Sequence, residues 1–182
     1  MPSALKRAKS SLERHAGHLV FGNRKWVERQ LRDVAKLVGE GRILEIGSGK
    51  HDYGADAYSM KRLFDPGCDF VQSDYNPDFG HLVVDVTTMD FDGDFDAILC
   101  VSVLEHVEQF WEAIPRMRAA LRPDGLLVLS VPMVFPYHDE PADFWRFTSH
   151  GVRSALSAFS EVDLRYRGPR RLPFTLFAIA RK

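Results

Sequence analysis

The sequence predicts an α/β fold: a doubly wound, mostly parallel sheet of seven strands with an antiparallel C-terminal strand. Short apolar runs alternate with segments of helical period, strand then helix, which implies parallel strands joined by crossover helices. The run Ala97-Ile98-Leu99-Cys100-Val101 and residues 126–131 show no polar alternation, as strands covered on both faces require. The last two apolar runs are joined through Gly168-Pro169 and read as a closing pair of strands.

The elements follow in order. Residues 1–20 carry Lys6, Arg7, Lys9 and Arg14 and are expected to be loosely helical or unstructured. Trp26, Val27, Leu31, Val34, Leu37 and Val38 recur at helical spacing, predicting a helix over 24–38 that Gly39 and Gly41 stop. Residues 42–46 form a short buried strand before a tight glycine turn. A helix is expected over 52–64, although its periodicity is weak, and Asp65-Pro66-Gly67 is a turn. Strands are predicted at 69–73, ending on Asp74, at 81–86, and at 96–101 after the aspartate-rich turn 90–94. Residues 108–121 are helical, with Pro115 expected to bend or split the helix. The turn 122–125 leads into a strand at 126–131. A helix capped by Thr148 or Ser149 covers 149–159, and strands at 162–166 and 175–180 complete the set.

With 182 residues, 45% hydrophobic and 27% charged, the chain suits a single domain over 1–182. Net charge near zero demands neither nucleic acid nor an anionic membrane. The four arginines Arg165, Arg167, Arg170 and Arg171 read as a solvated rim. The two cysteines, Cys68 and Cys100, sit in apolar company without CxxC or Cys/His ligand spacing, so neither a disulfide scaffold nor a metal is expected. No signal peptide or membrane-length apolar run is present, and the expected compartment is the cytoplasm.

In such sheets ligands bind beyond the carboxyl ends of the strands, so the residues after each strand carry the chemistry. Four segments matter together: ILEIGSGK (43–50), VQSDYNP (71–77), VVDVTTMDF (83–91) and FDAILCVSVLEHV (95–107), supported by LRPDGLLVLSVP (121–132). Gly47 and Gly49 have no side chain, so backbone there can pass close to a ligand. Asp74, after the second strand, is a carboxylate able to accept from vicinal hydroxyls. In this order and at these intervals the segments resemble class I S-adenosylmethionine-dependent methyltransferases, of the type 11-like kind, on a Rossmann-like sheet.

The resemblance implies that the turn Gly47-Ser48-Gly49 cradles the methionine half of the cofactor, with Glu45 helping to hold its amino end. It implies that Asp74 grips the ribose, that Tyr75 lies on the adenine or stands as a surface aromatic, and that Asp85 accepts from the adenine amino group beside the Val86 amide. An aspartate after a strand is otherwise a turn former. Cys100, Val101 and Ser102 are expected on the pocket floor, with Glu105 and His106 beyond. His106 reaches the cofactor edge or acceptor, or else caps the next helix. His51 stands where the family often has a third glycine, and the absence of GxGxxG speaks against a nicotinamide oxidoreductase.

The acceptor side is read from PMVFPYHDEPADFWRFT (132–148), a lid after the fifth strand. A hydroxyl acceptor must lose its proton, and a histidine suits that at neutral pH. His138 is the expected base, with Glu140 or Asp143 orienting it and Phe135, Tyr137, Phe144 and Trp145 excluding water. The alternative is that these aromatics pack a lid and His138 fixes the loop. Arg146 is expected to pair with Asp143, the alternative being contact with an acidic group of the substrate. The activity implied is O-methylation of a small molecule or saccharide precursor, with S-adenosylhomocysteine as product. The alternatives are a protein that binds S-adenosylmethionine or S-adenosylhomocysteine without turnover, and a nucleotide-cofactor oxidoreductase. Oligomeric state is not legible in the sequence.

Overall fold

The computed structural model describes residues 23–50, 59–138 and 142–182. The segment 1–20, His51, most of the expected 52–64 helix and Glu140 lie outside the described residues. Helix α1 occupies residues 23–38 and stops at Gly39, whose φ of +59° suits a residue without Cβ. The elements after it are β1 (Arg42–Ile46), β2 (Asp69–Asp74), β3 (Leu82–Val83), β4 (Phe95–Val101), α2 (Phe110–Ala120), β5 (Leu121–Pro132), α3 (Ser149–Ala155), β6 (Glu161–Arg167) and β7 (Thr175–Arg181).

The strands form a seven-stranded sheet in the order β3-β2-β1-β4-β5-β7-β6. The pairs from β3 to β5 are parallel, and β7 runs antiparallel to both β5 and β6. The chain steps outward from β1 through β2 to β3, then returns to the other side of β1 for β4. That reversal between β1 and β4 leaves a crevice at their carboxyl ends, where such sheets take ligands.

Alternation along the central strands builds two cores. Leu44, Ile98, Cys100, Leu127 and Leu129 pack on one face with Ala113, Ile114 and Met117 of α2 and Val152 of α3. Ile43, Ala97, Leu99, Leu126 and Val128 pack on the other with Val27, Leu31 and Val34 of α1. Because both faces are covered, β4 and β5 need apolar residues at nearly every central position, the near-continuous pattern seen in their sequence, with the small buried Ser130 of β5 as the exception. Trp26 meets Phe177 edge-on at 6.1 Å and ties α1 to β7.

Several elements depart from the sequence expectation for physical reasons. The expected strand 81–86 shortens to Leu82–Val83. Asp85 ends it: its Oδ1 accepts from the Thr87 amide at 2.8 Å and the Thr87 hydroxyl at 2.6 Å, while its carbonyl accepts from Thr88 and Met89. The expected turn 122–125 is absorbed into β5, which pairs Leu121 with Phe95 and resumes with Leu126 on Ala97. The intervening Arg122, Pro123 and Asp124 are exposed, as an outward bulge requires. Helix α2 runs through Pro115 without a break. Proline there costs one backbone hydrogen bond, and burial of Ala113, Ile114, Met117 and Ala120 holds the helix on the sheet.

Thr148 caps α3 as expected, its hydroxyl accepting from the Gly151 amide at 3.1 Å. Thr148→Ala is expected to lower unfolding free energy by about 1 kcal/mol in urea titration, the usual value of such a cap. An unchanged midpoint would show that α3 is held by packing alone. Among the described residues no helix is long and apolar enough to cross a membrane.

Candidate active site

The tips of β1, β2 and β3 meet at Asp74. Its Oδ2 accepts from the Gly49 amide at 2.9 Å, its Oδ1 from the Asn76 amide at 3.0 Å, and its carbonyl from the Val84 amide at 2.9 Å. Gly47 and Gly49 both have φ of +73°, a region that side-chain-bearing residues rarely adopt. A Cβ added at Gly47 would lie 2.6 Å from Cγ2 of Val103, so the turn after β1 passes directly against the segment after β4. The Ser48 amide donates to the Ser73 carbonyl at 2.9 Å, and His81 Nε2 donates to the Gly49 carbonyl at 2.9 Å.

Glu45 braces this turn from beneath. It is 4% exposed, and its carboxylate accepts from the Ser48 hydroxyl (2.7 Å), the Ser59 hydroxyl (2.6 Å) and the Met60 amide (2.6 Å). Burial pushes its carboxyl above the ordinary range, and these three donors oppose the shift. A sequence reading finds Glu45 but not Ser59 or Met60, since only tertiary closure brings them to it.

The other expected cofactor residues are placed as follows. Tyr75 is 72% exposed at the rim. Asp85 borders a cavity of about 260 Å³ with Val84, Thr88 and Met89, while Val86 packs in the core. Cys100, expected on the pocket floor, is fully enclosed in the core, and burial pushes its thiol well above the usual range. Val101 turns to the opposite face, half-buried, and Ser102 is exposed with φ of +54°.

Beyond β4 a polar cluster joins described residues of the segment 132–148, the stretch expected as the acceptor-side lid. His106 Nδ1 lies 2.6 Å from the Ala142 carbonyl, and its Nε2 lies 3.1 Å from His138 Nε2. The two rings meet edge-to-face, 4.7 Å between centroids. His106 therefore holds the lid and does not cap α2, whose N-cap is Gln109. A carbonyl only accepts, so His106 Nδ1 carries the hydrogen and its Nε2 offers a lone pair. Asp143 Oδ2 accepts from the His138 amide at 3.0 Å and lies 3.2 Å from His138 Nδ1, within ion-pair reach but off the hydrogen-bonding direction.

Arg146 grips Asp143 through both oxygens, at 2.5 and 2.6 Å, the expected pairing in bidentate form. This hydrogen-bonded guanidinium holds the Asp143 carboxyl well below the ordinary range. Arg146 also donates to the Phe135 and Pro136 carbonyls, which ties the start of the lid to its end. Burial lowers the His106 pKa, and the His138 ring adds to that.

Glu105 is the residue whose part in the site the sequence did not disclose. Only 2% of it is exposed, its Oε2 has no hydrogen-bond partner, and burial pushes its carboxyl up to about 8. Its backbone carbonyl accepts from Phe144 (2.8 Å) and Trp145 (3.2 Å), so the same residue anchors the lid. The shielding aromatics divide. Phe135 packs edge-on against His138 at 4.9 Å, whereas Trp145 turns away to join Phe110 and Trp111 of α2. Tyr137 and Phe144 are largely exposed.

Two of the four rim arginines serve the fold: Arg165 bonds Gln30 of α1 at 2.9 Å, and Arg167 bonds Asn23 and overlies Phe174.

The family model described as a methyltransferase domain matches residues 12–165. No curated protein matches the chain. Among solved structures, the Burkholderia thailandensis 1,6-didemethyltoxoflavin-N1-methyltransferase, with 1,6-didemethyltoxoflavin and S-adenosylhomocysteine bound, is 20% identical; the match covers 100% of this chain and 91% of that one, with a TM-score of 0.62. The N-methyltransferase NodS from Bradyrhizobium japonicum WM9, in complex with S-adenosylhomocysteine, is 19% identical over 87% of this chain and 86% of that one, with a TM-score of 0.61. The carbon methyltransferase CurJ is 17% identical over 79% of this chain and 49% of that one, with a TM-score of 0.58. From the strand order, the glycine turn and the family model that matches most of its length, the chain belongs to the methyltransferase-domain family, of the class I S-adenosylmethionine-dependent type.

Proposed function

We propose that this methyltransferase methylates an oxygen of a small molecule or saccharide precursor, within a single cytoplasmic domain whose residues 132–148 form the acceptor-side lid. The observation that carries the reading is the juxtaposition of Gly47 with Val103, since the Glu105–His106 pair and its lid contacts begin two residues beyond Val103. One wall of the crevice is then the turn expected to cradle the cofactor, and the other carries the histidines.

The residues fit the group. Two glycines at positive φ support a turn that admits an amino-acid tail, and the Asp74 carboxylate at the β2 tip, bonded to the Gly49 and Asn76 amides, supports a role as acceptor for ribose hydroxyls. S-adenosylmethionine supplies an electrophilic methyl group and leaves as S-adenosylhomocysteine. The chain's own residues align the acceptor and take its proton, and alignment supplies much of the rate. The acceptor's O–H proton passes to the His106–His138 pair, where Nε2 faces Nε2 at 3.1 Å. Asp143, fixed by Arg146, holds His138 in place for that transfer. The neighbours that methylate nitrogen and carbon share the fold, so the choice of oxygen rests on this proton-accepting pair and not on the fold.

Isothermal titration of the full chain with S-adenosylmethionine and S-adenosylhomocysteine tests the cofactor assignment. Asp74→Ala is expected to weaken binding by roughly 10–100-fold, the worth of hydrogen bonds to a charged acceptor. Absence of binding by the unaltered chain would defeat the proposal. Binding without methyl transfer across hydroxyl-bearing acceptors would leave a binding protein on this fold.

A further inference from the structure

Two imidazole nitrogens 3.1 Å apart cannot both present lone pairs to each other; either one of them carries a hydrogen or a cation lies between them. His106 Nε2 presents one, because its Nδ1 hydrogen is committed to the Ala142 carbonyl. His138 Nδ1 lies 3.2 Å from the Asp143 carboxylate without a hydrogen bond to it, so no partner fixes the ring hydrogen there and Nε2 is left to face its neighbour. A shared proton satisfies the pair during turnover. A metal ion satisfies it equally well, and a third group is in place for one. Glu105 Oε2 is buried without a hydrogen-bond partner, and ligand atoms of Glu105, His106 and His138 all lie within 4.8 Å of one another.

We propose that Glu105, His106 and His138 form a three-ligand site for a divalent cation of the zinc class.

The geometry supports this in three ways. Zinc holds imidazole nitrogens at roughly 2 Å, which puts two such nitrogens roughly 3 Å apart, the spacing of this pair. His106 has its second nitrogen hydrogen-bonded to a backbone carbonyl, the arrangement that orients metal-bound imidazoles, and His138 Nδ1 lies 3.2 Å from the Asp143 carboxylate. Two histidines and one carboxylate leave a coordination position open, as in sites where the metal meets a further ligand. Asp143 does not compete as a ligand, since both its oxygens are held by Arg146. No spacing rule finds this set, because 32 residues separate His106 from His138. An ion there takes the lone pairs assigned to the acceptor's proton, so metal occupancy and methyl transfer exclude one another.

The test is calorimetric titration of the untagged, chelator-stripped full chain with Zn²⁺, and an absorption spectrum with Co²⁺ in its place. One ion per chain is expected, with cobalt d–d bands and no sulfur-to-metal charge transfer. His106→Ala and His138→Ala should each abolish stoichiometric binding, and the isosteric Glu105→Gln should weaken it. If Glu105→Gln does not fold, the half-exposed His138→Ala carries the test. Absence of stoichiometric binding, binding unchanged in both histidine variants, or a thiolate charge-transfer band would overturn the proposal. Cofactor binding by the stripped chain is measured separately, so failure of the metal site and failure of the methyltransfer reading are told apart.

Discussion

Replacing Gly47 with alanine is expected to eliminate measurable cofactor binding and to lower unfolding free energy by about 1–3 kcal/mol. Two effects combine. The residue has φ of +73°, where an added Cβ is strained, and that Cβ would lie 2.6 Å from Cγ2 of Val103. Relief requires Val103 to move, and Val103 leads directly into the turn Leu104–His106 that holds the lid. Gly80 separates the two effects, since it has φ of +76° but nothing within 4 Å of an added Cβ. Gly80→Ala should show the backbone strain alone, about 1 kcal/mol, and retain cofactor affinity. Urea denaturation and titration calorimetry on both variants make the comparison. If Gly47→Ala behaves like Gly80→Ala, the close approach between β1 and β4 does not shape the pocket.

His138→Ala is expected to reduce kcat by roughly 10²–10⁴-fold, the range for loss of a positioned general base. Affinity for S-adenosylmethionine should be unchanged, because His138 belongs to the lid and touches none of Glu45, Gly47, Ser48, Gly49 or Asp74 among the described contacts. The lid should remain folded in the variant. Phe144 and Trp145 stay bonded to the Glu105 carbonyl, and Arg146 stays bonded to Asp143, Phe135 and Pro136. A fall in kcat with constant Kd would support the base assignment. Loss of cofactor affinity alongside activity would instead mark His138 as a structural residue of the loop.

Much of the frame was legible because it is written in local terms. The apolar run from Ala97 to Val101 declared a strand covered on both faces, and Gly47 and Gly49 declared a tight turn. Thr148 declared a helix start. What escaped the reading depended on direction and distance. An unbroken apolar strand does not say which residue faces which helix, so Cys100 was expected at the pocket and lies sealed in the core. Asp85 was favoured as an adenine ligand over a turn former, and only the folded chain showed that its Oδ1 accepts from Thr87 while the residue borders a cavity. The bulge at 122–125 also went unseen, since a turn inside a strand and a turn before one look alike in sequence.

The sequence by itself determined the order of strands and helices, the glycine turn and the acidic residues at the strand tips. Those features follow from side-chain period and backbone preference over a few neighbouring residues. Tertiary structure alone decided that Glu45 is clasped by Ser59 and Met60, that Oε2 of Glu105 is buried without a hydrogen-bond partner, and that His106 meets His138 across 32 residues. The histidine contact exists only where the segment after β5 packs on the segment after β4, and the Glu45 clasp only where residues 59 and 60 return to the end of β1. Chain closure between distant residues leaves no mark in local spacing.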